Sequence, residues 1–355
     1  MSELHGALNP AELERLGLDA AQVLDFSSNC LPGLAHPRVR EAVRTAAIEP
    51  YPSPDAAPLR LRLSACHRVS LDAVVAGAGA AQLIFASVQA YSREGDRVLV
   101  VSPSFGEYAD AAVALRRRVE RVHVAPDDSP DLGAVFRAVQ QFKPALVFVC
   151  QPNNPTGRLW PEAQLVRLMQ VCLDNESLLV VDHAYRTFVD PSQRFRSIEG
   201  AINLYSLTKD FALAGVRLGY AVLPVYRAAA LNAVLPPWSV SQPAIAAGLA
   251  ALEPEVIDAT DRAIVAVRES AASLWEALRA RGVVVLPTDT HFALLERPGA
   301  SAFRQRLLER ASVQIRSAAS FGLPDHVRVA SKGAAADAKL LQAWDMVGGE
   351  SESEL

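Results

Sequence analysis

The sequence predicts an α/β protein in which a mostly parallel sheet is covered by helices and is followed by a smaller α+β region. Three observations carry this. Short apolar runs alternate with helical patterns through the first two thirds of the 355 residues. The runs are nearly continuous in apolar side chains, as strands buried on both faces must be. Near residue 240 the alternation gives way to one long helical stretch and then shorter runs.

In chain order, an early helix precedes the turn-rich FSSNCLPG at 26–33, and a helix is expected over 36–47. EPYPSPDAAP, 49–58, has four prolines, which fix φ and remove donors, so it reads as a loop. Strands are expected at 98–101 (VLVV), 145–149 (ALVFV), 178–181 (LLVV), 202–205 (INLY) and 218–223 (LGYAVL). Helices are expected between them at 81–91, 107–116, 131–142 and 162–174. The second region comprises a helical stretch over 242–281, VVVL at 283–286, a helix at 300–311 and VRVA at 327–330. The tail GGESESEL is small and acidic and is expected to be disordered. The expected division is 1–35 packing with the small domain, 36–238 as the large domain, 239–347 as the small domain and 348–355 as the tail.

Half the residues are hydrophobic and 21% are charged, the composition of a soluble globular chain. A net charge of −4 argues against broad nucleic-acid binding, which needs a basic face. Cysteines 30, 66, 150 and 172 have no C-x-x-C spacing, so a zinc ribbon or dithiol centre is not expected. The first twenty residues are polar and acidic, and no apolar run reaches the length of a membrane span. The expected compartment is the cytoplasm.

In an open parallel sheet, ligands sit beyond the carboxyl ends of the strands. Strand 145–149 leads to QPNNPTG with Asn154, and strand 178–181 leads to Asp182 and Tyr185. Strand 202–205 leads to Ser206, Thr208 and Lys209. Lys209 is one of four lysines in a chain whose 35 basic residues are otherwise arginine. A lysine in a partly desolvated pocket has a lowered pKa and can form a Schiff base with an aldehyde. Pyridoxal phosphate asks for that amine, a carboxylate facing its ring nitrogen, donors to its phenolic oxygen, and amides with a cation for its phosphate. The glycine-rich turn GAGAAQL at 77–83 opens a helix and presents amides. Read as a dinucleotide loop it has Gln82 at the last position, and a nicotinamide dehydrogenase would leave Lys209, Asp182 and Tyr185 unexplained. Ser206, Thr208 and Arg217 are candidates to complete a phosphate shell, and Phe105 to lie on the ring.

With these residues placed, S-x-T-K followed by A-G-x-R-x-G-Y at 206–220 resembles the lysine segment of class I/II aminotransferases. NNPTG at 153–157 and D-x-A-Y at 182–185 resemble that family's other two signatures, in the right order. Within it, DFSSNCLPG, EPYPSPD and SFGLPDHVRVAS are similar to the branch of histidinol-phosphate aminotransferase and threonine-phosphate decarboxylase. His5–Gly6 points to the decarboxylase side. The resemblance implies fold-type I architecture: a three-layer α/β/α large domain with a mostly parallel mixed sheet, and a smaller α+β domain. It implies pyridoxal 5'-phosphate as cofactor and Lys209 as the Schiff-base and proton-transfer residue. It implies Asp182 at the ring nitrogen, and Asn154 and Tyr185 at the phenolic oxygen. It assigns the amides of Ala80 and Ala81, with Ser206, Thr208 and Arg217, to the phosphate. Phe105, rather than Tyr108, would stack on the ring. Arg328 would pair with the substrate carboxylate and Arg316 with a distal anion, with Asn29 near the substrate. Tyr51 would reach the phosphate of a neighbouring subunit, implying a homodimer with shared active sites. The expected substrate is a small amino acid or amino-phosphate, with no nucleic acid, membrane or metal involved.

Four departures from the family pattern bear on the substrate. DHAY has His183 where an acid is usual, and Cys30 and Leu31 alter N-x-N-P. The phosphate turn ends Ala-Ala-Gln, and His291 replaces an asparagine. The lead expectation is amino transfer. The alternative is decarboxylation of a phosphorylated amino acid, and a ligand-sensing regulator would need a DNA-binding domain for which the sequence has no room.

Overall fold

The structure is a computed structural model that describes residues 6–126 and 132–348. His5 and most of the acidic tail lie outside them. Seven strands form the main sheet. In spatial order they are Val74–Gly77, Gly219–Val222, Ile202–Ser206, Leu178–Asp182, Leu146–Cys150, Arg97–Ser102 and Arg118–His123. All run parallel except Gly219–Val222, which is antiparallel to both neighbours.

Side chains alternate across this sheet and define its three layers. Val98, Val100, Phe148 and Val180 pack on one face with Leu83, Ile84 and Leu231 of the helices Ala80–Tyr91 and Val225–Val234. Leu99, Val101, Val147 and Val181 pack on the other with Val135, Leu165 and Leu168 of Gly133–Phe142 and Glu162–Asp174. Strands covered on both faces must be apolar at every position, which is why the central runs were visible in the sequence. Two strands were not. Val74–Gly77 is short, and Arg118–His123, RVERVH, is an edge strand whose alternating charges hide its periodicity and protect the edge.

The helical stretch 242–281 is two helices, Gln242–Ala251 and Pro254–Arg279, because Pro254 cannot continue the first. VVVL at 283–286 pairs only briefly: Leu286 N donates to Leu294 O at 2.9 Å and Glu296 N to Val284 O at 3.0 Å around a single bridge of Val285 to Leu295. The strand is Phe292–Glu296, paired antiparallel with His326–Ala330, which also pairs with Arg316–Ser317. Gly282 and Pro287 bracket the earlier run closely, so its pairing with this strand stays short. Leu24–Asp25 pairs parallel with Val313–Gln314, and Phe26 is buried with Trp275, Phe303 and Trp344. The N-terminal strap is thereby tied to the small sheet. Among the described residues no helix is long and apolar enough to cross a membrane.

A column of buried rings lies along the lysine-bearing strand. His183 stacks on Tyr205 at 5.0 Å, and Tyr205 stacks on Tyr220 at 4.8 Å. His67 meets Tyr205 edge-on, its Nε2 lies 3.0 Å from the Tyr220 hydroxyl, and His183 Nε2 lies 3.0 Å from Asn203 Oδ1. Burial pushes both imidazoles down to about 4. Below the ordinary value of 6.5 the unfolded chain takes up protons that the folded one refuses, so stability falls as pH drops from 6.5 toward 4. The loss is at most about 3 kcal/mol per imidazole. The urea midpoint is expected to fall steadily between about pH 6.5 and 5, a span set by the unfolded histidine value. A flat midpoint across that span would contradict the burial of neutral imidazoles.

Candidate active site

Because six of the seven main strands are parallel, the turns after their C-terminal ends meet at one edge. Asp182 closes Leu178–Asp182, level with Cys150 and Leu204 on the flanking strands. The turns enclose a cavity of about 1210 Å³. Asn29, Ala81, Phe105, Asn154, Tyr185 and Lys209 are on its wall, as are Arg217, Arg316 and Arg328. Ala80, Asp182, Ser206 and Thr208 stand behind that wall. Tyr51 does not line it: its ring is 83% exposed and leans on Trp238 at 5.0 Å.

Local contacts explain which side chains face the cavity. Of the two asparagines in NNPTG, Asn153 is structural. Its Oδ1 accepts from Ser104 Oγ at 3.0 Å, and its Nδ2 donates to Pro103 O at 2.9 Å and Thr156 Oγ1 at 3.0 Å. That lock leaves Asn154 to the cavity, where its Oδ1 accepts from Arg328 Nη1. Lys209 follows its strand in a turn whose backbone is held from outside: Leu31 N donates to Lys209 O at 2.8 Å. The next residue, Asp210, is buried and ion-paired with Arg194, which also reaches Asp261 on the long helix.

Lys209 is half-buried, and its ammonium makes no hydrogen bond or ion pair among the described residues. Its pKa stands above the ordinary lysine value, chiefly through the Tyr185 phenolic oxygen, against desolvation. Tyr185 is itself raised by burial, which the Lys209 charge opposes. Burial raises Asp182 as well. Two donors work against that rise: the Tyr108 hydroxyl at 2.8 Å on Oδ2 and Ala184 N at 3.0 Å on Oδ1.

The small sheet presents a cationic wall. Arg316 and Arg328 lie directly opposite each other in an antiparallel pair, both almost fully buried. Like charges so placed repel, and an anion between them relieves the cost. Desolvation lowers Arg328 to about 10. Arg328 Nη2 donates to Ser27 O, and Arg316 Nη2 donates to Ser320 Oγ at 2.7 Å. Lys332 was missed from the sequence, although it is the next scarce lysine after Lys209. It lines the same cavity, donates to Ser28 O at 2.7 Å, and is lowered by desolvation. Both amide atoms of Asn29 are buried without a partner among the described residues. His291 is buried against Phe188 at 4.1 Å, off the cavity wall.

These residues fit pyridoxal phosphate. The phosphate turn is a cradle built by absent side chains: a Cβ on Gly79 would lie 2.9 Å from Arg217 Nη2, and one on Gly219 would lie 2.6 Å from Ala80 N. Gly79 also has φ of 87°. Bare glycine thus lets the guanidinium and the helix's first amides converge on one point, with the Ser206 and Thr208 hydroxyls 2.7 Å apart beside it. The two donors on Asp182 leave lone pairs for a ring N–H.

The family model for aminotransferase class I and II matches residues 21–344. The histidinol-phosphate aminotransferase of Symbiobacterium thermophilum is 33% identical over 90% of this chain and 89% of its own. The solved L-threonine-O-3-phosphate decarboxylase of Porphyromonas gingivalis is 25% identical, covering 92% of this chain and 100% of that one, with a TM-score of 0.79. The histidinol-phosphate aminotransferase of Sinorhizobium meliloti, solved with pyridoxal-5'-phosphate, superposes with a TM-score of 0.85 at 24% identity, over 96% of this chain and 95% of that one.

Proposed function

The chain belongs to the class I and II aminotransferases, and on that premise we propose that it is a histidinol-phosphate aminotransferase-like enzyme acting on an amino acid or amino-phosphate with a second anionic group. The observation that carries this reading is one cavity holding the unengaged Lys209 amine together with the buried cations Arg316, Arg328 and Lys332. Bound pyridoxal phosphate supplies an aldehyde that exchanges amines and a ring that holds the electron pair of a broken bond.

In this proposal Lys209 carries the cofactor at rest. Displaced by the incoming amine, its Nζ takes the α-proton and redelivers it. Asp182 keeps the ring nitrogen protonated, and Asn154 and Tyr185 donate to the phenolic oxygen. Phe105 covers the ring. The amides of Ala80 and Ala81, with Ser206, Thr208 and Arg217, take the phosphate. Arg328 takes the substrate carboxylate in a forked pair. Arg316 takes the distal anion, and Asn29 lies against the substrate. Tyr51, exposed on its proline loop, serves the cavity of a second copy in a homodimer. The proposed compartment is the cytoplasm.

Decarboxylation of a phosphorylated amino acid is the second reading, favoured by the 25% identity to the threonine-phosphate decarboxylase. It uses the same cofactor residues and differs in which substrate bond stands perpendicular to the ring. One experiment separates the two. The loaded protein is mixed with histidinol phosphate, O-phosphothreonine or glutamate, with and without 2-oxoglutarate. Conversion to the aminated cofactor and an acceptor-dependent keto product are expected. Carbon dioxide release without an acceptor would replace transfer by decarboxylation, and no reaction with any of them would remove the substrate class.

A further inference from the structure

From the sequence Tyr108 is only a second candidate for stacking on the cofactor, and in the structure it does not line the cavity. Its ring is fully buried in the layer beneath, flat on Phe148 at 5.0 Å and 11°. It meets Phe105 edge to face at 5.7 Å and 84°. Its hydroxyl donates to Asp182 Oδ2 at 2.8 Å.

One side chain therefore touches two groups that would hold the cofactor: Phe105, on the cavity wall, would cover its ring, and Asp182 would keep its ring nitrogen protonated. We propose that Tyr108 is a positioning residue for the cofactor, fixing the Asp182 carboxylate through its hydroxyl and the Phe105 ring through their T-shaped contact. The inference rests on the pyridoxal-phosphate reading above.

The chemistry follows from where the phenol is. Asp182 is cut off from water, so its charge survives only on hydrogen bonds and whatever cation faces it. Ala184 N holds Oδ1, and Tyr108 alone among the described side chains donates to Oδ2. Cys150, level with Asp182 on the next strand, donates its thiol to Pro152 O at 3.2 Å and lies against the Tyr108 hydroxyl. A hydrogen bond to a charged group shifts its proton affinity by about one pKa unit or more. Without the phenol, Asp182 becomes the stronger base and draws the ring proton toward itself. The ring then carries less positive charge and is a poorer electron sink.

Tyr108→Phe removes one oxygen and keeps the stack on Phe148 and the T-shaped contact with Phe105, so the apo protein should melt close to wild type. Three changes are expected in the loaded protein. The pH midpoint of the visible absorbance of the lysine-bound cofactor should move upward by about one unit, because a less cationic ring leaves the linkage nitrogen more basic. The kcat should fall about tenfold with donor KM nearly unchanged. Added to Asp182→Asn, the substitution should cause little further loss, since both act through one carboxylate. Tyr108→Leu, which also removes the buttress, should in addition weaken pyridoxal phosphate binding, read by quenching of protein fluorescence.

A Tyr108→Phe midpoint equal to wild type, or losses that add in full in the double variant, would overturn the inference. These outcomes are distinct from failure of the underlying reading, in which wild-type protein itself would not bind pyridoxal phosphate or show the absorbance.

Discussion

Lys209→Ala is expected to abolish transamination, lowering kcat by at least about 10³-fold, while leaving the fold intact. The size follows from the two tasks of one amine: linking the cofactor, and moving the proton at the α-carbon, a step commonly worth 10²–10⁴-fold, on the order of 3–5 kcal/mol. The fold is spared because the ammonium makes no hydrogen bond or ion pair among the described residues. The turn is held by other groups: the Leu31 amide on the Lys209 carbonyl, and Arg194 on Asp210. Borohydride treatment of loaded wild-type protein should add the cofactor's mass to the peptide bearing Lys209. The same treatment should leave the alanine variant unchanged, and added small primary amines should restore a fraction of turnover. Turnover by the variant within tenfold of wild type would remove Lys209 from the chemistry.

Asp182→Asn should move activity and stability in opposite directions. The amide oxygen can still accept from Ala184 N, and the NH2 that replaces Oδ2 can donate to the Tyr108 oxygen once that hydroxyl turns, so the side chain keeps its place. It cannot neutralise a protonated ring nitrogen, and a preorganised charge of this kind is worth about 10²–10³ in kcat. In the apo protein the same change removes a buried carboxylate that burial already pushes toward its neutral form, so the melting temperature should hold or rise. A kcat within a few-fold of wild type would show that the ring is kept protonated by something else. A marked fall in apo stability would show that Asp182 is chiefly structural.

The lysine, the carboxylate and the phenol were readable from the chain because each follows a visible buried strand within a few residues, whereas the phosphate turn, whose strand Val74–Gly77 was hidden, was readable only by its glycines. A parallel sheet gathers such positions at one edge whatever its details. Arg316 and Arg328 were visible as residues, but that they lie opposite each other follows from the register of Arg316–Ser317 on His326–Ala330. The NNPTG turn shows the limit well. Two adjacent asparagines are alike in sequence, and only the Ser104 and Pro103 contacts to Asn153 decide that Asn154 faces the cavity.

By itself, then, the amino-acid order determined the layered architecture and the groups offered to a cofactor, because strand burial and the turn that follows are local consequences of side-chain polarity. Only the tertiary structure decided the supporting cast. Tyr108 under the carboxylate, Lys332 on the Ser28 carbonyl, the N-terminal strap on the small sheet and Arg194 behind the lysine turn all act across long sequence separations. Their meeting depends on packing, which no local pattern encodes.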